Sequence, residues 1–174
     1  LYYGNVRKST NDGASFSTIV NTGGTGVNAN GNWVTPYVMH PTNNQTLLIG
    51  KGNLYQSTNG GTTWAALGAT TGGSGSFVQV HYARSNPAYI YAIKQNAVFK
   101  STNGGTSFTN ITGSLPLTAA MTYIYTSTTD PNRVYVTYSG YVSATKVYMS
   151  TNGGTSWSNY STGLPNLPVN CIVY

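Results

Sequence analysis

The chain has 174 residues, of which only 6% are charged, and its net charge at pH 7 is +6. It contains no glutamate, and its only acids are Asp12 and Asp130. This length suits one ordinary domain with a sizeable apolar core. The Lys and Arg residues are scattered, whereas nucleic-acid-binding surfaces concentrate them on one face, so we predict no nucleic-acid partner. No apolar run approaches the about 20 residues of a membrane span, so we predict no span.

Short runs of β-branched and aromatic residues, separated by turn residues, predict strands along the whole chain, with no helical period. The strands fall into units of four, which we label a to d in chain order. Segment 1–20 carries strands b to d of a first unit. Complete units follow at 33–67, 77–111 and 121–160, and a last strand a is predicted at 169–174.

One sequence motif recurs at the turn between strands c and d of each unit. It reads STNDGASF from Ser9, STNGGTTW from Ser57, STNGGTSF from Ser101 and STNGGTSW from Ser150, with starts 44 to 49 residues apart. A repeat of this period indicates a solenoid, a propeller or another array. Ser, Thr and Asn side chains bond nearby backbone N–H groups and Gly supplies positive φ, so we predict hairpins with self-bonded turns.

Four positions of the motif are predicted to be structural: the Ser, the Asn, the Gly two residues after the Asn, and the aromatic, which is placed to enter a core. These residues are Ser9, Asn11, Gly13, Phe16, Ser57, Asn59, Gly61, Trp64, Ser101, Asn103, Gly105, Phe108, Ser150, Asn152, Gly154 and Trp157.

The motif resembles the Asp-box, or BNR repeat, of sialidase-like, xyloglucanase-like and sortilin-like β-propellers, where it forms the hairpin between the third and fourth strands of a blade. The resemblance implies an all-β propeller built of four-stranded antiparallel blades, with four blade equivalents in this chain. In all four copies Asn stands where the family has Asp, so these turns keep the bonding role but carry no carboxylate.

The order of the predicted strands leaves two arrangements open. The chain starts at a strand b and ends at a strand a, so the strand at 169–174 would complete the first blade and close a four-bladed ring. Propellers have about 4 to 8 blades, and Asp-box proteins usually have more than the minimum. We therefore expect a single propeller domain that is part of a larger propeller, with the closed ring as the alternative.

A catalytic centre is difficult to build from these residues. A glycosidase needs an acid and a base or nucleophile flanking one bond, but Asp12 and Asp130 both lie in predicted turns, where Asp commonly bonds the backbone. Sialidase-like enzymes, by resemblance, use three arginines and a Tyr/Glu pair. Here Arg7, Arg84 and Arg133 do not map to one face, and there is no Glu. We predict no catalytic residue.

The sequence also predicts no metal site and no cofactor. His40 and His81 stand alone without carboxylate partners, whereas a metal site needs three or four ligands. Cys171 is the only cysteine, so it forms no internal disulfide, and we predict a buried, unreactive thiol.

A binding surface is the remaining possibility for a site. Neighbouring turns of a blade lie on alternate faces, and by resemblance the face with the d–a and b–c connections is the functional one in propeller glycosidases. Rings with Asn and Lys suit carbohydrate and equally suit a protein partner, because Tyr and Trp are enriched in interface hot spots. Tyr141, in a long b–c loop, is the foremost candidate. The candidates are Trp33, Lys51, Asn53, Lys94, Asn96, Tyr138 and Tyr141.

We therefore expect a non-catalytic module that binds a glycan, an extracellular protein or other domains of its parent chain, or that serves as a scaffold. Two alternatives stay open: a fragment of a secreted glycoside hydrolase, sialidase-like or xyloglucanase-like, with its carboxylates outside this chain, and a sortilin-like or assembly-factor propeller that binds polypeptide. Richness in Thr, Ser, Asn, Gly and Tyr resembles secreted surface proteins of Bacteroidetes-type bacteria, which implies a secreted or cell-surface bacterial protein.

Overall fold

A computed structural model describes residues 4–20, 26–27 and 30–173 of the chain. The described residues form strands β1 to β14 and turns, without a helix, so the predicted all-β class is confirmed. None of the described segments is a helix that could cross a membrane.

The strands form one two-stranded hairpin and three four-stranded antiparallel sheets. The hairpin consists of β1 (Val6–Lys8) and β2 (Ser17–Val20). The first sheet consists of β3 (Tyr37–His40), β4 (Asn43–Gly50), β5 (Leu54–Ser57) and β6 (Ala65–Ala66). The second consists of β7 (Gln79–Tyr82), β8 (Ile90–Lys94), β9 (Ala97–Ser101) and β10 (Thr109–Asn110). The third consists of β11 (Met121–Thr126), β12 (Val134–Tyr138), β13 (Val147–Ser150) and β14 (Ser158–Asn159).

Within each four-stranded sheet, strands that follow one another in the chain are neighbours. Each sheet is therefore an up-and-down meander that short turns can connect. The first strands of the sheets lie side by side, because β7 contacts both β3 and β11. These three inner strands form one continuous surface of the molecule.

Three apolar clusters fill the spaces between successive units. One joins the hairpin to the first sheet through Val20 and Trp64, and the next joins the first and second sheets through Leu48 and Phe99. The third joins the second and third sheets. Strand β8 is buried along its whole length because it contributes to two clusters from its two faces. This explains its continuous apolar sequence, which a half-exposed strand would not have.

The segment 169–173 is not a strand, which corrects the prediction of a last strand at 169–174; Tyr174 lies outside the described residues. A strand needs a ladder of hydrogen bonds to a neighbour, and within the described part of the chain only Val169 of this segment is bonded to a strand. Its N–H donates to Tyr138 O at 3.0 Å, and its carbonyl accepts from Thr122 Oγ1 at 2.6 Å. The predicted first strand of segment 1–20 lies largely outside the described residues.

Candidate functional site

The four repeated turns share one hydrogen-bond pattern. In each, the Gly four residues after the Ser donates its N–H to the Ser Oγ, at 2.8 to 2.9 Å. The Asn Oδ1 accepts the N–H of the residue four positions later, at 2.9 to 3.0 Å. The Asn Nδ2 donates to the hydroxyl of that same residue. An Asp could not make this last donation when ionised, so the Asn and the Ser or Thr that follows it form a matched pair.

Two of the repeated turns also bond to the unit that precedes theirs. Trp64 Nε1 donates to Ile19 O at 3.0 Å, and Trp157 Nε1 donates to Ile111 O at 2.9 Å. These bonds satisfy the indole N–H of aromatic rings that are buried between units. The rings of Trp64 and Trp157 therefore lie at the interfaces between units.

The seven predicted ligand-binding residues do not form one exposed surface. Trp33 and Tyr141 are 61% and 69% exposed, and Asn53 and Asn96 are also exposed. Lys51, Lys94 and Tyr138 are buried between the sheets. In this structure those three side chains are not available to a ligand in solvent.

Lys51, Lys94 and Tyr138 occupy equivalent positions in successive sheets. Each lies where the second strand of its sheet ends and the following turn begins. Lys94 Nζ lies 5.1 Å from the centroid of the Phe77 ring, and Tyr138 stacks edge-on against Tyr148. Lys51 Nζ and Tyr138 Oη are buried and have no hydrogen-bond partner among the residues that the structure describes. Burial lowers the pKa of Lys51 and raises the pKa of Tyr138, because it disfavours the charged form of each.

A cleft of about 620 Å³ runs across the three inner strands, away from the predicted face. Tyr37 and Met39 line it from β3, Gln79 and His81 from β7, and Tyr123 and Tyr125 from β11. Arg84, which follows β7, lies at the end of the cleft that adjoins the turn after that strand.

The cleft side chains face outward because the inner strands alternate between two environments. On β7, Val80 and Tyr82 enter the core cluster between the first and second sheets, while Gln79 and His81 take the other side. On β11, the register of pairing with β12 shifts between Met121 and Tyr123.

That register shift has a consequence for the site. Met121 and Ile124 both lie in the core although they are an odd number of residues apart. The bulge thus reverses the alternation and turns Tyr123 and Tyr125 toward the cleft.

His81 forms part of the cleft wall and is itself 7% exposed. Its Nε2 lies 3.0 Å from Thr126 Oγ1, and its ring lies 4.7 Å from the ring of Tyr125. Burial, with a smaller contribution from the positive charge of Arg84, lowers the pKa of His81 to about 4. The imidazole is therefore neutral near pH 7.

The cleft combines four tyrosines, of which Tyr82 is almost fully buried, with neutral polar groups and one guanidinium. No carboxylate lines it, and the chain's two acids lie in turns: Asp130 Oδ1 accepts the N–H of Asn132 at 2.9 Å, and Asp12 has a φ of 54° in the first repeated turn. Such a surface suits a flat, uncharged, hydroxyl-bearing ligand, because rings supply contact area and amides fix orientation.

Sequence reasoning did not single out Tyr37, Tyr123 and Tyr125. A signal for them exists, namely that Tyr123 and Tyr125 stand two positions apart in one predicted strand a, as Gln79 and His81 do in another. The cleft itself depends on three strands that are far apart in the chain.

Arg7, Arg84 and Cys171 lie in different parts of the structure. Arg7 lines cavities beside the hairpin, while Arg84 lines the cleft. Cys171 is exposed, which corrects the prediction of a buried thiol; among the strands that the structure describes, none pairs with the segment around it. In the ranges that the structure describes, no group of three His, Cys, Asp or Glu side chains could hold a metal ion.

No protein-family model and no curated protein sequence matches the chain. Among solved structures, the chain is similar to an ancestral GH74 enzyme, with 24% identity and a TM-score of 0.66 over 89% of this chain and 21% of that one. It is similar to YCF48 from Cyanidioschyzon merolae, with 19% identity and a TM-score of 0.55 over 72% of this chain and 36% of that one. It is also similar to the GH74 xyloglucanase from Xanthomonas campestris, with 17% identity and a TM-score of 0.57 over 75% of this chain and 23% of that one.

These similarities concern the fold, because identity is low in each case. The chain spans between 21% and 36% of the length of the three solved proteins. All three are β-propeller proteins, and the sheets described above correspond to blades. The chain therefore has the fold of a partial β-propeller with antiparallel blades.

Proposed function

We propose that this chain is a non-catalytic, carbohydrate-binding propeller module that holds a neutral glycan in the cleft along β3, β7 and β11. The observation that carries the proposal is the row of Tyr37, Tyr123 and Tyr125 beside neutral polar side chains in a site without carboxylates. Tyrosine rings offer apolar faces for sugar rings. Gln79 and neutral His81 offer donors and acceptors for sugar hydroxyls.

We also propose that the four repeated turns are Asp-box turns in which Asn replaces Asp, and that the parent protein is secreted or on a bacterial cell surface. Their shared hydrogen bonds and their position between the third and fourth strands support the first statement. The low charge and the Thr, Ser, Asn and Gly content support the second. Protease treatment of intact cells that produce the parent protein tests the location, since a surface protein is cleaved and an internal one is protected.

The ligand class is tested by adding xyloglucan oligosaccharides, or unrelated peptides of similar mass, to the purified chain. A ligand that binds only the folded state raises its melting temperature, and the stabilisation grows with the logarithm of the ligand concentration once that concentration exceeds the Kd. We expect stabilisation by an oligosaccharide and none by the peptides. Stabilisation by peptides alone would favour a polypeptide-binding propeller instead.

A second candidate is a portion of a glycoside hydrolase whose carboxylates lie outside this chain. The observation that favours it is the fold similarity to two GH74 enzymes, of which this chain spans only 21% and 23%. The cleft would then form part of a longer substrate groove. Released reducing sugar distinguishes the candidates: the chain alone is inactive under both, whereas its full-length parent cleaves xyloglucan only under the second.

A further inference from the structure

A cavity of about 240 Å³ lies between the second and third sheets, beside their repeated turns. Both of its walls belong to complete four-stranded sheets. Lys100 of β9 reaches across to the repeated turn of the third sheet, because a methyl group added at Gly153 would overlap Lys100 Nζ. Four hydroxyl side chains share the lining with this lysine, namely Thr102, Ser107, Thr109 and Thr155.

The ammonium group of Lys100 is partly buried in this cavity. Its Nζ donates to Asn132 Oδ1 at 3.2 Å and lies 5.2 Å from the centroid of the Tyr89 ring. Burial lowers the pKa of Lys100, because desolvation disfavours its charged form. Both contacts are with uncharged groups, and an ammonium has three donors. The positive charge therefore has no counterion among the residues that line the cavity.

The amide of the repeated turn contributes to the same character. Asn103 Nδ2 donates to Ser107 Oγ at 2.9 Å, which leaves the hydroxyl hydrogen of Ser107 for another acceptor. An ionised Asp at position 103 would accept that hydrogen and bring a negative charge to the rim. The acid in the adjoining turn, Asp130, is outside the lining, and its Oδ1 accepts the N–H of Asn132 at 2.9 Å. The cavity is therefore cationic and rich in hydrogen-bond donors.

We propose that this cavity, which we name the inter-blade site, binds one oxyanion of sulfate size, either as a free ion or as an ester group on a sugar, with Lys100 as its counterion. Hydrogen bonds from an ammonium to an anion are about twice as strong as neutral ones. The volume equals that of about eight water molecules, which leaves room for the anion and part of a sugar ring. The inter-blade site shares no lining residue with the cleft along β3, β7 and β11, so binding at one does not require the other.

The equivalent positions at the other interfaces lack this combination. The residue before the Ser of the repeated turn is Lys8, Gln56 and Lys100 in successive units. Gln56 is uncharged, and its Nε2 donates to Tyr82 Oη at 2.8 Å. Lys8 Nζ donates to Gly60 O at 3.1 Å, beside a cavity with several apolar side chains. Lys100→Gln therefore introduces the side chain that the first sheet already carries at this position, and Lys8→Gln removes an equal charge elsewhere.

The inter-blade site is tested by titrating sodium sulfate into the isotope-labelled chain, with ionic strength held constant by sodium chloride. The amide signals of Ser107 and Gly153 are followed by NMR, and the same spectra show whether each variant is folded. We expect both signals to shift and saturate. Lys100→Gln should weaken binding about tenfold or more, because it removes the charged donor. Lys8→Gln should leave the binding curve unchanged.

Two further titrations sharpen the result. Asp130→Asn keeps an acceptor for the N–H of Asn132 but removes a negative charge from the adjoining turn, so it should strengthen sulfate binding. Galactose 6-sulfate distinguishes the source of the anion: tighter binding than inorganic sulfate assigns a sulfated sugar, and equal or weaker binding assigns the free ion. The proposal is overturned if neither anion gives a saturable shift, if Lys100→Gln binds as the unaltered chain does, or if Lys8→Gln loses binding equally.

Discussion

At the residue scale, one serine hydroxyl has the same partners in all four repeated turns but different burial. Ser101 Oγ accepts the N–H of Gly105 at 2.9 Å in a buried setting, and Ser9 Oγ accepts the N–H of Gly13 at 2.8 Å in an exposed one. Ser101→Ala leaves a buried donor unpaired and should cost about 1–3 kcal/mol of unfolding free energy. Ser9→Ala should cost about 0.5 kcal/mol or less, because water replaces the hydroxyl. Urea denaturation of both variants gives the comparison, and equal losses would contradict it.

His81 links stability to pH. Its pKa is lowered from 6.5 to about 4 in the folded chain, so the unfolded chain binds more protons between these values. The stabilisation is complete above the unfolded pKa and is lost as the pH falls through the folded pKa, with a total of about 3 kcal/mol. Denaturant unfolding at a series of pH values should show this loss for the unaltered chain. His81→Gln should flatten the profile between pH 6.5 and 4; a profile unchanged by His81→Gln would refute the link.

The bonding role of Asn in the repeated turns was predictable because it is local: donor, acceptor and turn lie within a few residues. The burial of Lys51 was not predictable in this way. A methyl group added at Gly4 would lie 3.1 Å from Lys51 Nζ, so part of the cover over the lysine comes from the unit that precedes its own sheet.

At the element scale, comparing substitutions at two glycines that share a backbone conformation separates the cost of backbone strain from the cost of lost packing. Gly154 and Gly13 have φ of 89° and 90°, so a methyl group at either costs about 1–2 kcal/mol of backbone strain. At Gly154 the methyl also overlaps Ile111 of the preceding blade. Gly154→Ala should therefore destabilise the chain by about 1–3 kcal/mol more than Gly13→Ala.

The loss of unfolding free energy in each of the two variants is measured by thermal or urea denaturation in dilute solution. Equal destabilisation by the two substitutions would show that Ile111 yields without cost. That result would mean that packing between blades does not require glycine at these turn positions.

The strands themselves were predictable from alternation and turn residues, because a hairpin is settled by neighbours in sequence. The strand predicted at 169–174 could not be judged in this way, because a strand forms only where a neighbouring strand is available to pair with it. Val169 bonds to Tyr138, and no ladder follows it in the described residues.

At the scale of the whole molecule, the period of the repeated turn predicts a row of like blades, and the structure shows that row. The cleft was not predictable from the same signal. It exists because β3, β7 and β11, which are separated by some forty residues each along the chain, lie side by side and turn Tyr37, Gln79 and Tyr123 to one surface.

The most direct test of the account is calorimetric titration of xyloglucan oligosaccharides into the unaltered chain, Tyr37→Ala and Tyr141→Ala. Both tyrosines are exposed, but only Tyr37 lines the cleft. Loss of a stacking ring should weaken binding about tenfold for Tyr37→Ala, while Tyr141→Ala should bind as the unaltered chain does. Binding lost in Tyr141→Ala and kept in Tyr37→Ala would place the site on the b–c loops and contradict the cleft.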